Sequence, residues 1–138
     1  MTKKSRIILC VDDDADDQMI MLETIKEVDA SVKVATALNG LEAIRFLESR
    51  KKDGGLPCLV IMDINMPLMD GKQAIVKIKE EQHFDSIPIV LFTTSNSALD
   101  KAFGDKYNVH FMTKPINVKS FREAVVKLLS FADNCEAS

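Results

Sequence analysis

The sequence predicts an α/β fold of the doubly wound type, a five-stranded parallel sheet built in the order (βα)5. Five short apolar runs alternate along the chain with segments of helical periodicity. Three of those runs are apolar at consecutive positions, which is typical of strands covered on both faces in a parallel sheet. Because crossovers between parallel strands are right-handed, such a sheet carries its ligand site at the carboxyl ends of its strands.

The apolar runs define the predicted strands. The first, third and fourth runs, RIILCV, CLVIM and IPIVLFTT, are the continuous ones, whereas VKVATA and VHFM are the second and the fifth. By residue number the five predicted strands are 6–11, 32–37, 58–62, 87–94 and 109–112.

The segments between the runs have the spacing of amphipathic helices. The fourth segment is the weakest, because Gly104 interrupts it and a glycine inside a helix costs roughly 1 kcal/mol relative to alanine. Asn108 follows, and asparagine suits the left-handed residue that ends a helix. The predicted helices are 15–28, 41–48, 72–81, 97–107 and 118–129.

Length and charge limit the functions of the chain. At 138 residues we expect one domain over 1–138, with a core at about 6–129 and a short tail at 130–138. The net charge of −3 provides no basic field that would attract nucleic acid. No DNA-binding helix-turn-helix follows Leu129, so we expect a protein partner and no direct binding to nucleic acid or to a membrane.

The apolar runs and the cysteines favour a cytoplasmic location. The first apolar run is too short for a signal peptide, and no run approaches the ~18 residues of a membrane span. Cys10, Cys58 and Cys135 lack a metal-type spacing, and their odd number argues against a disulfide framework. We therefore expect a protein of the reducing cytoplasm.

Polar residues stand where the predicted strands end. The third strand ends at Asp63, within LVIMDINMPLMDG, the fourth at Thr93 and the fifth at Lys114. A charge at the end of an apolar strand costs solvation energy unless a neighbour requires it. Since the ends of parallel strands lie on one rim of the sheet, we expect these three side chains to meet there.

The first strand adds acids to the same rim, in the stretch VDDDADD. Asp14 is placed as the N-cap of the following helix, and Asp16 and Asp17 fall in its first turn, where they favour the helix dipole. That interpretation leaves Asp12 and Asp13 unexplained. With Asp63 they make three carboxylates on one rim.

Three neighbouring carboxylates require a counter-charge. At 4 Å each pair repels by roughly 1 kcal/mol in bulk water and by about 4 kcal/mol at an effective dielectric of 20. A hard divalent cation removes that cost, and a set of oxygen ligands without Cys or His favours magnesium over zinc. The metal, Lys114 and the Thr93 hydroxyl would then bind the oxygens of an anion that Asp63 attacks. The residues thus predict phosphoryl transfer to Asp63.

The stretches ILCVDDD, LVIMDINMPLMDG, PIVLFTT and FMTKPI, in this order, resemble the receiver domain of two-component response regulators. The resemblance runs from Arg6 to about Leu129 and suggests a stand-alone, single-domain protein. It implies a flavodoxin-like, CheY-like fold. It also implies a phosphoprotein of a phosphorelay, which takes a phosphoryl group from a histidine kinase or a phosphotransfer protein and then switches a protein-binding surface. Catalysis would be limited to its own phosphorylation and dephosphorylation.

The resemblance assigns a role to each residue of the acidic cluster. Asp63 is the phosphoacceptor. Asp13 binds Mg²⁺ directly, Asp12 supports it, often through water, and Asp63 and the backbone carbonyl of Asn65 complete the protein ligands.

The resemblance also implies a switch. Thr93 and Lys114 bind the phosphoryl group and act with Asp63 in the transfer, while Phe111 matches the switch aromatic residue of the fifth strand. The Lys114–Pro115 bond resembles a cis peptide bond of the family, and an X–Pro bond is where a cis bond is tolerated. Thr94 departs from the small residue that usually follows the switch threonine.

Two other functions compete with this hypothesis. A phosphatase of the haloacid-dehalogenase type also forms an aspartyl phosphate with magnesium and a lysine, but it needs a second aspartate where this chain has Asn65. A degenerate receiver that acts only as a binding module is disfavoured by the presence of Asp63, Thr93, Lys114 and the acidic pair.

Overall fold

The five strands form one parallel sheet in the order β2-β1-β3-β4-β5, and a helix follows each strand, so the predicted (βα)5 fold is confirmed. The computed structural model describes residues 6–52 and 55–132. The strands are β1 Ile7–Val11, β2 Lys33–Ala37, β3 Leu59–Met62, β4 Ile89–Thr93 and β5 His110–Thr113. The helices are α1 Ala15–Val28, α2 Gly40–Lys51, α3 Gly71–Glu80, α4 Ala98–Lys106 and α5 Val118–Ser130, with a 3-10 turn at Gln82–Phe84.

The three continuous apolar runs form the three central strands, which are covered on both faces as predicted. β3 and β4 are buried at every position and β1 at all but its first, whereas β2 and β5 are the partly exposed edges of the sheet. One core cluster packs α2 and α3 against one face, and a second packs α1 and α5 against the other. The central strand ends are therefore held between two cores.

Each helix begins at a polar cap in the loop that follows a strand. Asp14 accepts hydrogen bonds from the N–H groups of Asp16 and Asp17, which confirms it as the N-cap of α1. Asp70 forms a reciprocal capping box with Gln73 at the start of α3. Asn39, Ser97 and Asn117 cap the remaining helices. At the other end of α4, Asn108 has φ of 57°, the left-handed conformation predicted from its position.

Two expectations are wrong. Within residues 6–52 and 55–132 every peptide bond is trans, including Lys114–Pro115. The trans form of an X–Pro bond is lower in energy by about 0.5–1 kcal/mol, and in that form the chain passes from β5 to the Asn117 cap. Cys10 is a buried free thiol, but Cys58 is disulfide-bonded. An odd number of cysteines leaves one thiol unpaired and still permits one bond.

The predicted tail lies mostly beyond what the structure describes. α5 extends to Ser130, and residues 133–138 lie outside the described residues. No helix in the described part of the chain is both long enough and apolar enough to span a bilayer.

Candidate functional site

The strand register places Asp12 and Asp63 side by side. Val11 of β1 pairs with Met62 of β3, and the next residue on each strand is the aspartate. The N–H of Asp63 donates to the Val11 carbonyl at 3.0 Å, which continues the ladder to the phosphoacceptor candidate itself. Asp63 therefore stands on a fixed backbone at the carboxyl end of a central strand.

Lys114 joins these two acids from the end of β5. Its Nζ donates to Asp12 Oδ2 at 2.8 Å and to Asp63 Oδ2 at 3.3 Å. It also donates to Asp17 Oδ2, in the first turn of α1, at 3.3 Å. The Lys114 side chain is only 13% exposed, so one ammonium group is shared among three carboxylates in a partly buried place.

The pKa values of Asp63 and Lys114 are shifted by different influences. Burial is the largest influence on Asp63 and raises its pKa, with Asp12 adding to the shift, while Lys114 and the Ile64 N–H oppose it. Burial alone would lower the pKa of Lys114. The hydrogen bond that Lys114 donates to Asp12 and the charges of Asp63, Asp12 and Asp17 together outweigh the effect of burial and raise that pKa well above its usual value. Lys114 is thus a permanent cation at the rim.

Asp13 completes an all-oxygen cluster. One carboxylate oxygen from each of Asp12, Asp13 and Asp63 lies within 4.8 Å of the others. Asp13 is exposed, whereas Asp12 is 9% exposed and Asp63 is partly buried. This donor set fits Mg²⁺ or Mn²⁺, because hard divalent cations prefer carboxylate oxygens and retain waters on the open side.

A tight loop holds Asp63 against the start of α3. The Gly71 N–H donates to the Ile64 carbonyl at 2.8 Å, and a Cβ built on Gly71 would lie 2.1 Å from the Asp63 carbonyl oxygen. Only glycine fits such an approach. The loop residue Leu68 has φ of 66° and is exposed. The loop that starts at Asp63 therefore returns at Gly71 to the backbone of Asp63 and Ile64.

Thr93 lies one strand farther along the rim. It pairs with Thr113 of β5, and its carbonyl accepts the Lys114 N–H at 2.8 Å. Its side chain is 1% exposed, and its Oγ1 accepts the Ser95 N–H at 3.2 Å. An accepting hydroxyl keeps its own hydrogen to donate.

Ser95 connects this loop to two helices. Its hydroxyl donates to Asp100 of α4, and Asp100 also pairs with Lys72 of α3. The Lys72 Nζ lies 5.6 Å from the centre of the Phe103 ring on α4. We call the set Ser95, Asp100, Lys72 and Phe103 the α3–α4 latch.

The other predicted site residues are spread more widely. Asn65 is exposed in the loop after Asp63. Pro115 and Thr94 line the same cavity as Asp12, Asp63 and Lys114. Phe111 is half-buried and packs at the junction of α4 and β5, away from that cavity. The structure thus brings together Asp12, Asp13, Asp63 and Lys114, with Thr93 next to them. Phe111 lies apart from this group, between α4 and β5.

Two residues of α1 were missed as parts of the site. Asp17 was assigned to the helix dipole, yet it is also an ion-pair partner of Lys114. Gln18 is 6% exposed and donates to three main-chain carbonyls around Asp12. The available signal was its spacing, because Gln18 is a polar residue in the buried stripe that includes Met21 and Ile25.

Comparisons with known proteins show the family of the chain. The model of the response regulator receiver domain matches residues 8–126. The chain is 28% identical over 129 residues to the response regulator Rcp1 of Synechocystis sp., covering 91% of this chain and 88% of Rcp1. It is 30% identical over 136 residues to the sensor histidine kinase GacS of Pseudomonas protegens, covering 96% of this chain but only 14% of GacS.

Solved structures give the same result. The Mn²⁺-bound form of Rcp1 superposes with a TM-score of 0.83 at 26% identity, covering 96% of this chain and 99% of that one. The phosphorylated cyanobacterial phytochrome response regulator RcpA gives a TM-score of 0.86, covering 96% and 97% of the two chains. Its 24% identity supports the fold alone. Neither the phosphatase nor the degenerate-receiver alternative is favoured by these matches. The chain therefore belongs to the response regulator receiver domains and is a phosphoacceptor of two-component signalling.

Proposed function

We propose that Asp63 is the phosphoacceptor and that a histidine kinase or a phosphotransfer protein is the donor. The observation that carries this proposal is the pair of contacts that Lys114 Nζ makes to Asp12 and Asp63, at 2.8 Å and 3.3 Å, beside the carboxylate of Asp13. Phosphoryl transfer depends mainly on positioning and charge neutralisation. A carboxylate on a rigid strand end, next to a fixed cation, supplies both.

The proposed reaction needs a divalent cation. Receiver domains bind Mg²⁺ or Mn²⁺ at an acidic pocket. Asp12, Asp13, Asp63 and the carbonyl of Asn65 would hold the ion here. When bound, the ion neutralises the developing charge on the phosphoryl oxygens.

The residues of the chain then have separate tasks. An Asp63 carboxylate oxygen forms a bond to phosphorus while the P–N bond to the donor imidazole breaks. The electron pair leaves with the imidazole nitrogen, which takes up a proton from solvent. Lys114 and the Thr93 hydroxyl donate hydrogen bonds to the transferred phosphoryl oxygens.

Labelling with acetyl phosphate and Mg²⁺ tests the assignment. We expect one base-labile phosphate on the wild-type chain and none on Asp63→Asn. Asp16→Asn is a matched control, because Asp16 is exposed in the same rim region but lies outside the group that contacts Lys114. A phosphate that resists mild base, or labelling that persists in Asp63→Asn, would refute the assignment.

The surface around the site supports a protein donor. Receiver domains interact with histidine kinases and phosphotransfer proteins. Ile116 and Val118 are almost fully exposed, and they line the same cavity as Asp63 and the exposed Ile20 of α1. A cluster of exposed apolar residues marks a protein contact.

A kinase-profiling assay with purified histidine kinases identifies the donor. With that donor, Ile116→Asp should lose transfer but keep labelling by acetyl phosphate. Val126→Asp is the control, since Val126 is also exposed but lies in the middle of α5. Equal transfer to both variants would show that this surface does not bind the donor.

The same proposal includes a switch through Thr93. When its hydroxyl turns to a phosphoryl oxygen, the Ser95 N–H loses its acceptor, and the α3–α4 latch is disturbed. Phe111 packs against α4 and can occupy the space that Thr93 leaves. Thr93→Ala should still be phosphorylated but show smaller amide NMR shifts at 97–121 on adding beryllofluoride, a phosphoryl mimic. Full-size shifts would show that the switch bypasses Thr93.

A further inference from the structure

We propose that Gln18 is a positioning residue of the acidic pair, which fixes the peptide unit between Asp12 and Asp13 and so sets the direction of both carboxylates. This inference rests on the metal site of the proposed function. It concerns how the site is built, because Gln18 itself lies behind the strand ends and is 6% exposed.

The contacts of Gln18 converge on one point. Its Nε2 lies 3.0 Å from the Cys10 carbonyl oxygen, 3.1 Å from that of Asp12 and 3.0 Å from that of Ala37. The Asp12 carbonyl belongs to the peptide unit that joins Asp12 to Asp13. A hydrogen bond to this oxygen therefore restrains the rotation of the plane that separates the two acids.

The surrounding bonds complete a clamp on Asp12. Its N–H donates to the Ala37 carbonyl at 3.0 Å, the same oxygen that accepts from Gln18. Its carboxylate accepts the Asp14 N–H at 2.9 Å. Gln18 thus ties the ends of β1 and β2 together at the residue from which the acidic turn starts.

The chemistry of the side chain fits this task. Three carbonyl oxygens surround one nitrogen, so the side chain must be a donor there, and the amide orientation is determined by them. This arrangement leaves the oxygen of the same amide without a partner. Within the described residues, Gln18 Oε1 is the single buried side-chain nitrogen or oxygen without a hydrogen-bond partner. A buried polar atom left unsatisfied calls for a compensating role, and orientation of the acids supplies it.

Two variants and one control test the proposal. Gln18→Met keeps the length but has no donor, and Gln18→Glu keeps the shape but presents only acceptors to the carbonyls. Thr24→Val is the control, because Thr24 is also buried on α1 and lines the same cavity, but its hydroxyl donates to Ile20 of its own helix. Mg²⁺ affinity is measured by calorimetry, and amide shifts and hydrogen exchange of residues 12–14 are measured in metal-free protein.

We expect Mg²⁺ affinity to fall by about 10- to 100-fold in Gln18→Met, as is usual when a partner behind a metal ligand is removed. Gln18→Glu should lose at least as much, and it carries the test if the methionine variant does not fold. The amides of residues 12–14 should shift and exchange faster in both. Thr24→Val should match the wild type in both measurements, even if its melting temperature changes.

Unchanged Mg²⁺ affinity and unchanged amides in folded Gln18 variants would overturn the proposal. These readouts involve no phosphoryl group, so they remain decisive even if Asp63 fails to take up phosphate. If the wild type binds no Mg²⁺, the metal site of the proposed function fails, and the metal-free amides alone decide the role of Gln18.

Discussion

Gly71→Ala should destabilise the fold and disturb Asp63, because the structure leaves no room for a methyl group there. A Cβ at Gly71 would lie 2.1 Å from the Asp63 carbonyl oxygen and 3.1 Å from the Asp63 carbonyl carbon and the Ile64 Cα. Ordinary contact starts at 3.4 Å, so the two segments must separate by about 1.3 Å, the difference between these distances. All three neighbours are backbone atoms, which cannot rotate away.

The cost follows from two effects. Overpacking a tight site costs about 1–3 kcal/mol. Separating the segments also weakens the Gly71 N–H bond to Ile64, which is worth about 1 kcal/mol. We expect the free energy of unfolding to fall by about 2–4 kcal/mol, which for a domain of this size lowers Tm by about 10 °C.

Gly104→Ala is the matched control. A Cβ there would meet the Val109 carbonyl oxygen at 3.3 Å and the Phe111 Cβ at 3.8 Å, so a small adjustment suffices. Alanine also raises helix propensity inside α4 by up to about 1 kcal/mol. Urea and thermal denaturation should show Gly104→Ala equal to or more stable than wild type. If Gly71→Ala were as stable as this control, or bound beryllofluoride as well as wild type, the argument from close packing around Asp63 would be wrong.

The other predictions concern charge. Asp13→Asn should bind Mg²⁺ more weakly by calorimetry yet unfold at higher urea, because carboxylate repulsion of about 1 kcal/mol or more is removed. Asp17→Asn should bind beryllofluoride equally or up to about fivefold more tightly than Asp16→Asn. The substitution removes one carboxylate that competes for Lys114, and the effect is small because the ion pair is exposed. The hydrogen bonds from Lys72 and the loop serine lower the pKa of Asp100, so its stabilisation is present above the unfolded value of 3.8 and is lost as the pH falls through the folded pKa. Asp100→Asn should therefore be less stable by about 1 kcal/mol at pH 7, and urea titrations should show this difference shrink below about pH 3.8 and vanish once the pH is below the folded pKa; a constant difference would exclude the ion pair as its cause.

Much of the fold follows from rules that need no side-chain detail. Continuous apolar runs identified the strands that are covered on both faces, because such strands carry few polar residues. Once the strands were parallel, Asp12, Asp63 and Lys114 had to share a rim, since each follows its strand directly. The caps at Asp14 and Asn108 followed from local chemistry in the same way.

The contacts between side chains were harder to predict. From the sequence, Asp17 could interact with the helix dipole or form an ion pair. Only the position of the Lys114 side chain in the structure shows that Asp17 also forms the ion pair. Gln18 is a polar residue on a buried face, but its partners include Ala37, nineteen positions away. The latch between Lys72 and Asp100 depends on the packing of α3 beside α4. No local pattern encodes how two helices face one another.

The contacts of Lys114 determine which hydrogen bond should break first when Asp63 is phosphorylated. Its ammonium group has three N–H donors, and three carboxylates engage them. A phosphoryl group on Asp63 adds about −1.5 to −2 charges. Lys114 can donate a hydrogen bond to a phosphoryl oxygen most readily by giving up its hydrogen bond to the least buried carboxylate. The Asp17 side chain is 48% exposed, against 13% for Asp12, so water replaces the lysine at Asp17 with little loss.

Releasing Asp12 instead would leave a buried acid without its cation, which costs far more. We therefore expect phosphorylation to free Asp17 before any other contact of the cluster changes. Asp17 lies on α1 within one turn of Ile20, part of the apolar surface proposed to bind the donor. A carboxylate newly exposed beside that surface disfavours an apolar contact. The exchange at Lys114 thus gives a physical reason for the donor to leave once its phosphoryl group has been transferred.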